Sequence, residues 1–147
     1  KNILFIFIFL ITSCGYQPIY VNNNPTNLLF KDINLSGDKN LNRKILSALS
    51  IRKDPSLSSK NYLSLDSNIK IMETSKNSKG QVTTYKSIGI VNLTIERDGK
   101  LEKTQSFNED FTYNSYDNKF DLVEYQEEVE TIIINKIIEK INIYLNL

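Results

Sequence analysis

Apolar positions along this chain change period several times, and the changes mark out its elements. Leu28 to Leu35 places apolar side chains at 29, 33 and 35, with Lys31 breaking the phase, which predicts a strand. Ser36-Gly37-Asp38 then turns the chain. From Asn40, Leu41, Ile45, Ala48 and Leu49 recur at helical spacing and Leu46 widens the stripe, so a first helix is expected with Asp38 or Asn40 as its cap. Pro55, among Ser56, Ser58 and Ser59, closes that region into a loop. Tyr62 to Met72 alternates cleanly, with Leu63, Leu65, Ile69 and Ile71 on one side and polar residues on the other, the pattern of a half-buried strand. A polar loop over residues 75–80 leads to a β-rich run, Val82 to Arg97. The phase of that run moves from Ile88 and Ile90 to Val91, Leu93 and Ile95, and the shift next to Gly89 predicts a β-bulge.

Asp98-Gly99 is a pair suited to a tight hairpin turn, in which both central residues take positive φ, so the next strand returns antiparallel. That strand, Leu101 to Tyr113, sets Leu101, Phe107, Phe111 and Tyr113 on one face, interrupted by Lys103, Gln105 and Glu109, as an edge strand would. After a break at 116–120, Asp121 can cap a final helix reaching about Leu145. Its stripe is Leu122, Tyr125, Val129, Ile132, Ile133, Ile137, Ile141 and Tyr144, widened by Ile134 and Ile138. Glu124, Glu127, Glu128 and Glu130 lie toward its positive end. The expected fold is α+β: a two-layer sandwich of about four strands in a mixed sheet, with two helices packed on one face. The other sheet face then meets solvent or a partner.

The N-terminal residues follow a different grammar. Lys1-Asn2 precedes nine apolar residues, Ile3 to Ile11, and then Thr12-Ser13-Cys14, the order of an export signal. Nine residues of helix rise about 14 Å, roughly half of a hydrocarbon core about 30 Å thick. The stretch therefore reads as a removed signal and not a spanning helix. Ile11-Thr12-Ser13-Cys14 resembles the bacterial lipobox, with Ile11 where Leu is usual. The resemblance implies cleavage before Cys14 and a covalent lipid on its sulfur. The competing reading makes Cys14 an ordinary small apolar residue, against which stands the position of the chain's single Cys at the end of the apolar run. Gly15, where Asp would favour inner-membrane retention, points by the same family rule to the outer membrane. The expected layout is a signal peptide at 1–13, an acylated Cys and extended tether at 14–26, and a single domain at 27–147.

Composition closes off most catalytic chemistry. There is no His and only one Cys, which removes the imidazole base, Cys/His zinc sites and internal disulfides. Glu109 with Asp110, Glu127 with Glu128, and Asp117 with Asp121 are the carboxylate pairs. Neighbours on a strand point to opposite faces, and the helical pair is explained by the dipole. Ser residues have no base and no Gly-x-Ser-x-Gly setting, and the five Gly form no phosphate loop. No enzyme is expected, and no cofactor beyond the lipid on Cys14. Loss of the signal removes Lys1, one of 18 basic residues, and leaves charge balanced against 17 acidic ones, so no basic field argues for nucleic acid.

Two loops carry cations, Lys76 with Lys79 and Arg97 with Lys100. If the strands on either side of residues 75–80 form a hairpin, these loops lie at opposite ends of the sheet. Lys70 and Lys86, on flanking strands, can share a sheet surface. Solvated lysines and an anionic-lipid site are both compatible with this pattern.

Cys14-Gly15-Tyr16-Gln17-Pro18-Ile19-Tyr20, the order strand, helix, three strands, helix, and the tail from Tyr113 to Leu145 together resemble the LptE family of lipopolysaccharide-assembly lipoproteins, especially its alphaproteobacterial form. Ile19 stands where Leu is usual, and Thr83-Thr84-Tyr85 stands where many relatives have a small residue, Thr and Arg, so no Arg-based lipid contact carries over. The resemblance implies a lipid-anchored protein on the periplasmic side of the outer membrane that plugs the LptD barrel, assists its assembly and helps deliver lipopolysaccharide to the outer leaflet. Lys70, Lys76, Lys79 and Lys86 are then the candidate lipopolysaccharide contacts, and Tyr62, Tyr85 and Tyr113 candidate contacts to a polar lumen. A scaffold lipoprotein of the barrel-assembly machinery is the nearest alternative. A periplasmic lipoprotein enzyme is the remote one and requires a cleft with perturbed carboxylates.

Overall fold

The computed structural model describes residues 28–146. The signal at 1–13, Cys14 and the tether at 14–26 lie outside the described residues. In chain order the elements are β1 (Leu28–Phe30), β2 (Asp32–Gly37), α1 (Lys39–Ala48), β3 (Ile51–Lys53), β4 (Asn61–Lys76), β5 (Val82–Arg97), β6 (Lys100–Asn114) and α2 (Lys119–Asn146). Four strands form one mixed sheet in the order β2-β4-β5-β6, with β2 parallel to β4 and the other pairs antiparallel. This is the expected α+β fold, with β6 at an edge.

The single strand expected over Leu28 to Leu35 is two strands. Its phase break at Lys31 is a real junction: β1 goes to a separate parallel pair with β3, while the Lys31 N–H donates to the Asn61 carbonyl at 2.8 Å and β2 joins the main sheet. The three residues of β3 are too few for a periodic signal.

Of the two possible caps for α1, Asp38 is the one used. Its Oδ1 accepts from the N–H of Asn40 at 2.8 Å and of Leu41 at 2.9 Å. Gly37 makes the preceding turn possible. Its φ is +77°, and a Cβ there would lie 1.8 Å from the Ser67 carbonyl oxygen. That carbonyl accepts the Asp38 N–H at 2.8 Å, which fixes the start of α1 to the end of β2–β4 pairing. At α2 the cap is Asn118, not Asp121. Asn118 Oδ1 accepts from the Phe120 N–H, and its amide donates to Asp121, whose carboxylate occupies the first turn.

The core lies between the helices and the odd-numbered face of β4, β5 and β6. Leu63, Leu65, Val91 and Leu93 from the sheet meet Leu41 and Ile45 of α1 and Val129, Ile133, Ile137 and Ile141 of α2. Ile134, which widened the expected stripe, is buried where α1 lies beside α2, whereas Ile132, expected within the stripe, is 40% exposed. No described helix is long and apolar enough to cross a membrane.

Two expectations about strand phase are corrected. The register of β5 against β4 runs unbroken from Arg97 to Tyr85, so no bulge sits at Gly89. Ile88 and Ile90 simply occupy the face opposite Val91 and Leu93, and Gly89 fills the helix-facing position that α2 leaves no room to occupy. The irregularities of the β4–β5 hairpin lie at Glu73, Ser75 and Lys76. In β6, a register shift between Ile95 and Glu96 sets Leu101 opposite Glu96 and leaves it exposed, away from Phe107, Phe111 and Tyr113.

Candidate functional site

Because both helices pack on one side, the even-numbered face of the sheet is bare of any other described element. It carries Ser, Thr, Asn and Asp side chains that bond to each other across strands. Ser36 Oγ donates to Asp66 Oδ1 at 2.8 Å, Asn92 Nδ2 donates to Asp66 Oδ2 at 3.4 Å, and the hydroxyls of Thr94 and Thr104 are 3.3 Å apart. Ile88, Ile90 and Tyr62 are half-buried within this polar field. Cross-strand bonds of this kind hold the side chains in place and leave a flat, mostly neutral surface.

The four lysines singled out from the sequence gather on one arm of this sheet. Lys70 lies opposite Ile88, and Lys86 opposite Met72, so Lys70 and Lys86 share the bare face. Lys76 ends β4, and Lys79 sits in the turn that follows, its N–H donating to Asn77 Oδ1 at 2.9 Å. Arg97 and Lys100 stand at the opposite end of the hairpin, as antiparallel pairing requires. The four do not carry equal free charge. Lys86 Nζ is 3.0 Å from Asp110 Oδ2 and Lys76 Nζ is 3.0 Å from Glu73 Oε2, whereas Lys70 and Lys79 make no ion pair among the described residues.

The tyrosines divide. Tyr62 faces the bare side, but Tyr85 and Tyr113 face α2. Tyr113 is buried, stacks on Tyr85 at 5.9 Å, meets Tyr125 edge-on at 5.6 Å and has its hydroxyl 3.1 Å from Ser87 Oγ. Tyr113 is part of the packing under α2, and Tyr85 is half-buried against it. Their alternation with Lys86 and Thr112 in the same strands carried that information.

The carboxylate pairs separate as their spacing requires. Glu109 turns to Lys140 on the helix side and Asp110 to Lys86 on the bare side. Asp32 and Asp54 are the carboxyls held below the ordinary value of 3.8. Asp32 owes this first to Lys53 and then to the Ile33 N–H, while Asp54 owes it to the hydroxyl and N–H of Ser56. Both are exposed features of the β1–β3 end. No group of three or more potential metal ligands occurs among the described residues.

One feature of the arm carried a weaker sequence signal. Ile71 and Met72 are 48% and 45% exposed, although Ile71 continues the apolar phase of Leu63, Leu65 and Ile69. It lies outside the buried core, so period alone could not separate this residue from those that are in it. Phe120, at 85% exposure, lies near the start of α2.

No protein-family model and no curated protein sequence matches the chain. Solved structures do. Rare lipoprotein B from Shewanella oneidensis superposes with a TM-score of 0.52 at 18% identity, covering 74% of this chain and 86% of that one. A minor lipoprotein from Acinetobacter baumannii gives 0.52 at 19% identity, covering 78% and 90%. Lipoprotein B from Nitrosomonas europaea gives 0.59 at 11% identity, covering 86% and 88%. The chain shares the fold of these bacterial lipoproteins. In this fold both helices lie on one side of the sheet and β4 and β5 form a long hairpin.

Proposed function

We propose that the chain is an outer-membrane lipoprotein, anchored through Cys14 on the periplasmic side, that seats its polar sheet face in the lumen of an LptD-type β-barrel and assists lipopolysaccharide delivery. The observation that carries this reading is the bare, cross-bonded polar face on a fold otherwise closed by helices. A water-lined barrel interior offers polar side chains at regular spacing, and a flat neutral sheet surface complements it through hydrogen bonds without a large desolvation cost. The likeness to bacterial lipoproteins supports the anchor, and the sequence from Cys14 to Tyr20 supports the family. Lys70, Lys76, Lys79 and Lys86 are the residues assigned to the lipid phosphates, Lys70 and Lys79 first because they make no ion pair among the described residues.

The test is a pull-down from detergent-solubilised membranes with the acylated chain as bait. Recovery of one large barrel in about equal amount to the bait, with lipopolysaccharide export failing on depletion while other barrels still assemble, supports the reading. Recovery of barrel-assembly subunits instead overturns it in favour of a scaffold role. Combined alanine changes at the four lysines that leave lipopolysaccharide binding unchanged would remove them from the site.

A further inference from the structure

The β2–β4 pairing stops at Ser67, and β4 runs on from Asn68 to Lys76 with a strand on one side only among the described residues. The direction of its free groups is fixed by the bonds further back. Asn61 and Ser67 turn their carbonyls toward β2, where they accept from the N–H groups of Lys31 and Asp38, both at 2.8 Å. Alternation along the strand therefore sends the N–H and C=O of Ile69, Ile71 and Glu73 to that same side, as far as the register shift after Glu73. β2 has left this lane at Gly37, whose positive φ turns the chain into α1. An open lane continues where β2 ended.

The far edge of the sheet is treated differently. There the hydroxyl of Tyr144 and Nζ of Lys140 donate to the carbonyls of Thr104 and Asn108, both at 3.4 Å, so α2 side chains occupy part of the edge of β6. Among the described residues the free stretch of β4 has no such cover, and the exposed Ile71 and Met72 stand in its middle on opposite faces. Between Asn68 and Lys79 three lysines accompany one glutamate, and Lys70 makes no ion pair among the described residues. A second copy would set this lysine-rich edge against itself, whereas an acidic segment complements it.

Resting on the barrel-partner reading above, we propose that the free edge of β4 from Asn68 to Glu73 receives an extended segment of the partner as an added strand, with apolar side chains over Ile71 and Met72 and a carboxylate beside Lys70. Main-chain bonds to Ile69, Ile71 and Glu73 hold the segment, and the side chains select it.

Amide hydrogen exchange on the purified complex and on the free full chain tests this. The amides of Ile69, Ile71 and Glu73 are expected to exchange at least about tenfold more slowly in the complex. Ile71→Pro removes an outward N–H without touching the β4–β5 bonds, which arise from the even-numbered residues, and is expected to weaken capture about tenfold at unchanged Tm. Lys70→Glu, which leaves the backbone intact, is expected to weaken it too and guards against a folding defect in the proline variant. A complex in which these three amides stay as labile as in the free chain overturns the inference and leaves the barrel reading standing. Failure to recover any barrel overturns both. Protection that rises with concentration in the free chain alone assigns the edge to a second copy and overturns the partner assignment.

Discussion

Gly89 of β5 faces Ile133 of α2 so closely that a Cβ at position 89 would lie 2.6 Å from Ile133 Cγ2 and 3.0 Å from Ile137 Cδ1. Ile133 is β-branched and fully packed, so its methyl has no free rotamer into which to retreat. Gly89→Ala is therefore expected to destabilise the fold by about 1–3 kcal/mol, as overpacking does. Urea unfolding measures this, and Gly89→Ala combined with Ile133→Ala is expected to cost less than the sum of the two single changes, because the second makes room for the first.

Tyr113 and Ser87 make a second, polar contact under the same helix, with hydroxyls 3.1 Å apart and both residues buried. Tyr113→Phe keeps the stack with Tyr85 and the edge contact with Tyr125 but strands the Ser87 hydroxyl, a loss of about 1 kcal/mol. Adding Ser87→Ala to Tyr113→Phe is expected to recover most of it, since the orphaned group is then gone. Thermal melts of the two variants and the parent decide the matter; equal stability of Tyr113→Phe and the parent would mean the bond contributes nothing.

These two contacts also mark where sequence reading succeeds and where it stops. Alternation located β4 and β5, and Asp98-Gly99 located the hairpin turn, with φ of 52° and 75° at its two central residues. Those signals are local, set by side-chain period and by backbone sterics. The phase change at Gly89 was visible too, but its cause was not: a glycine is the mark both of a bulge and of a close approach by another element, and only the position of Ile133 tells them apart. Tyr85 and Tyr113 show the same limit at the candidate site, because an amphipathic ring suits both a core with a hydroxyl partner and an interface. Whether Lys70 and Lys86 share a face depended on register, which turns on the full β4–β5 pairing and not on either strand alone. Short strands without a period, such as β3, left no signal.

Acid stability should respond to one exposed pair at the other end of the domain. Lys53 Nζ lies 2.7 Å from Asp32 Oδ1, and the Ile33 N–H donates to the same oxygen at 2.7 Å, which together hold the Asp32 carboxyl below 3.8. The folded value is lower than the unfolded one, so the stabilisation is fully present above about pH 4 and is lost as pH falls through the lowered folded value. Asp32→Asn is expected to flatten the acid limb of a stability–pH curve in that window and to leave the curve near neutrality parallel to the parent. Both side chains are about half exposed, so the effect is small and shrinks with added salt. An acid limb of unchanged slope would show that Asp32 does not contribute to it.

The proposed anchor at Cys14 lies outside the described core, which gives the most direct test of the lipoprotein reading. Among the described residues, every core residue lies between Phe30 and Ile141, and α1, α2 and the sheet bury one another. Cys14→Ala is therefore expected to leave the circular dichroism spectrum and Tm of the domain unchanged. Membrane attachment should behave otherwise. Each buried methylene of an acyl chain contributes about 0.8 kcal/mol, and two or three chains together hold a protein stably on a bilayer. With its sulfur removed the chain is expected to lose palmitate labelling and to pass from the membrane pellet to the soluble fraction after carbonate washing. A Cys14→Ala chain that still pellets, unlabelled, would place the membrane contact on the folded domain itself and withdraw the lipid from Cys14.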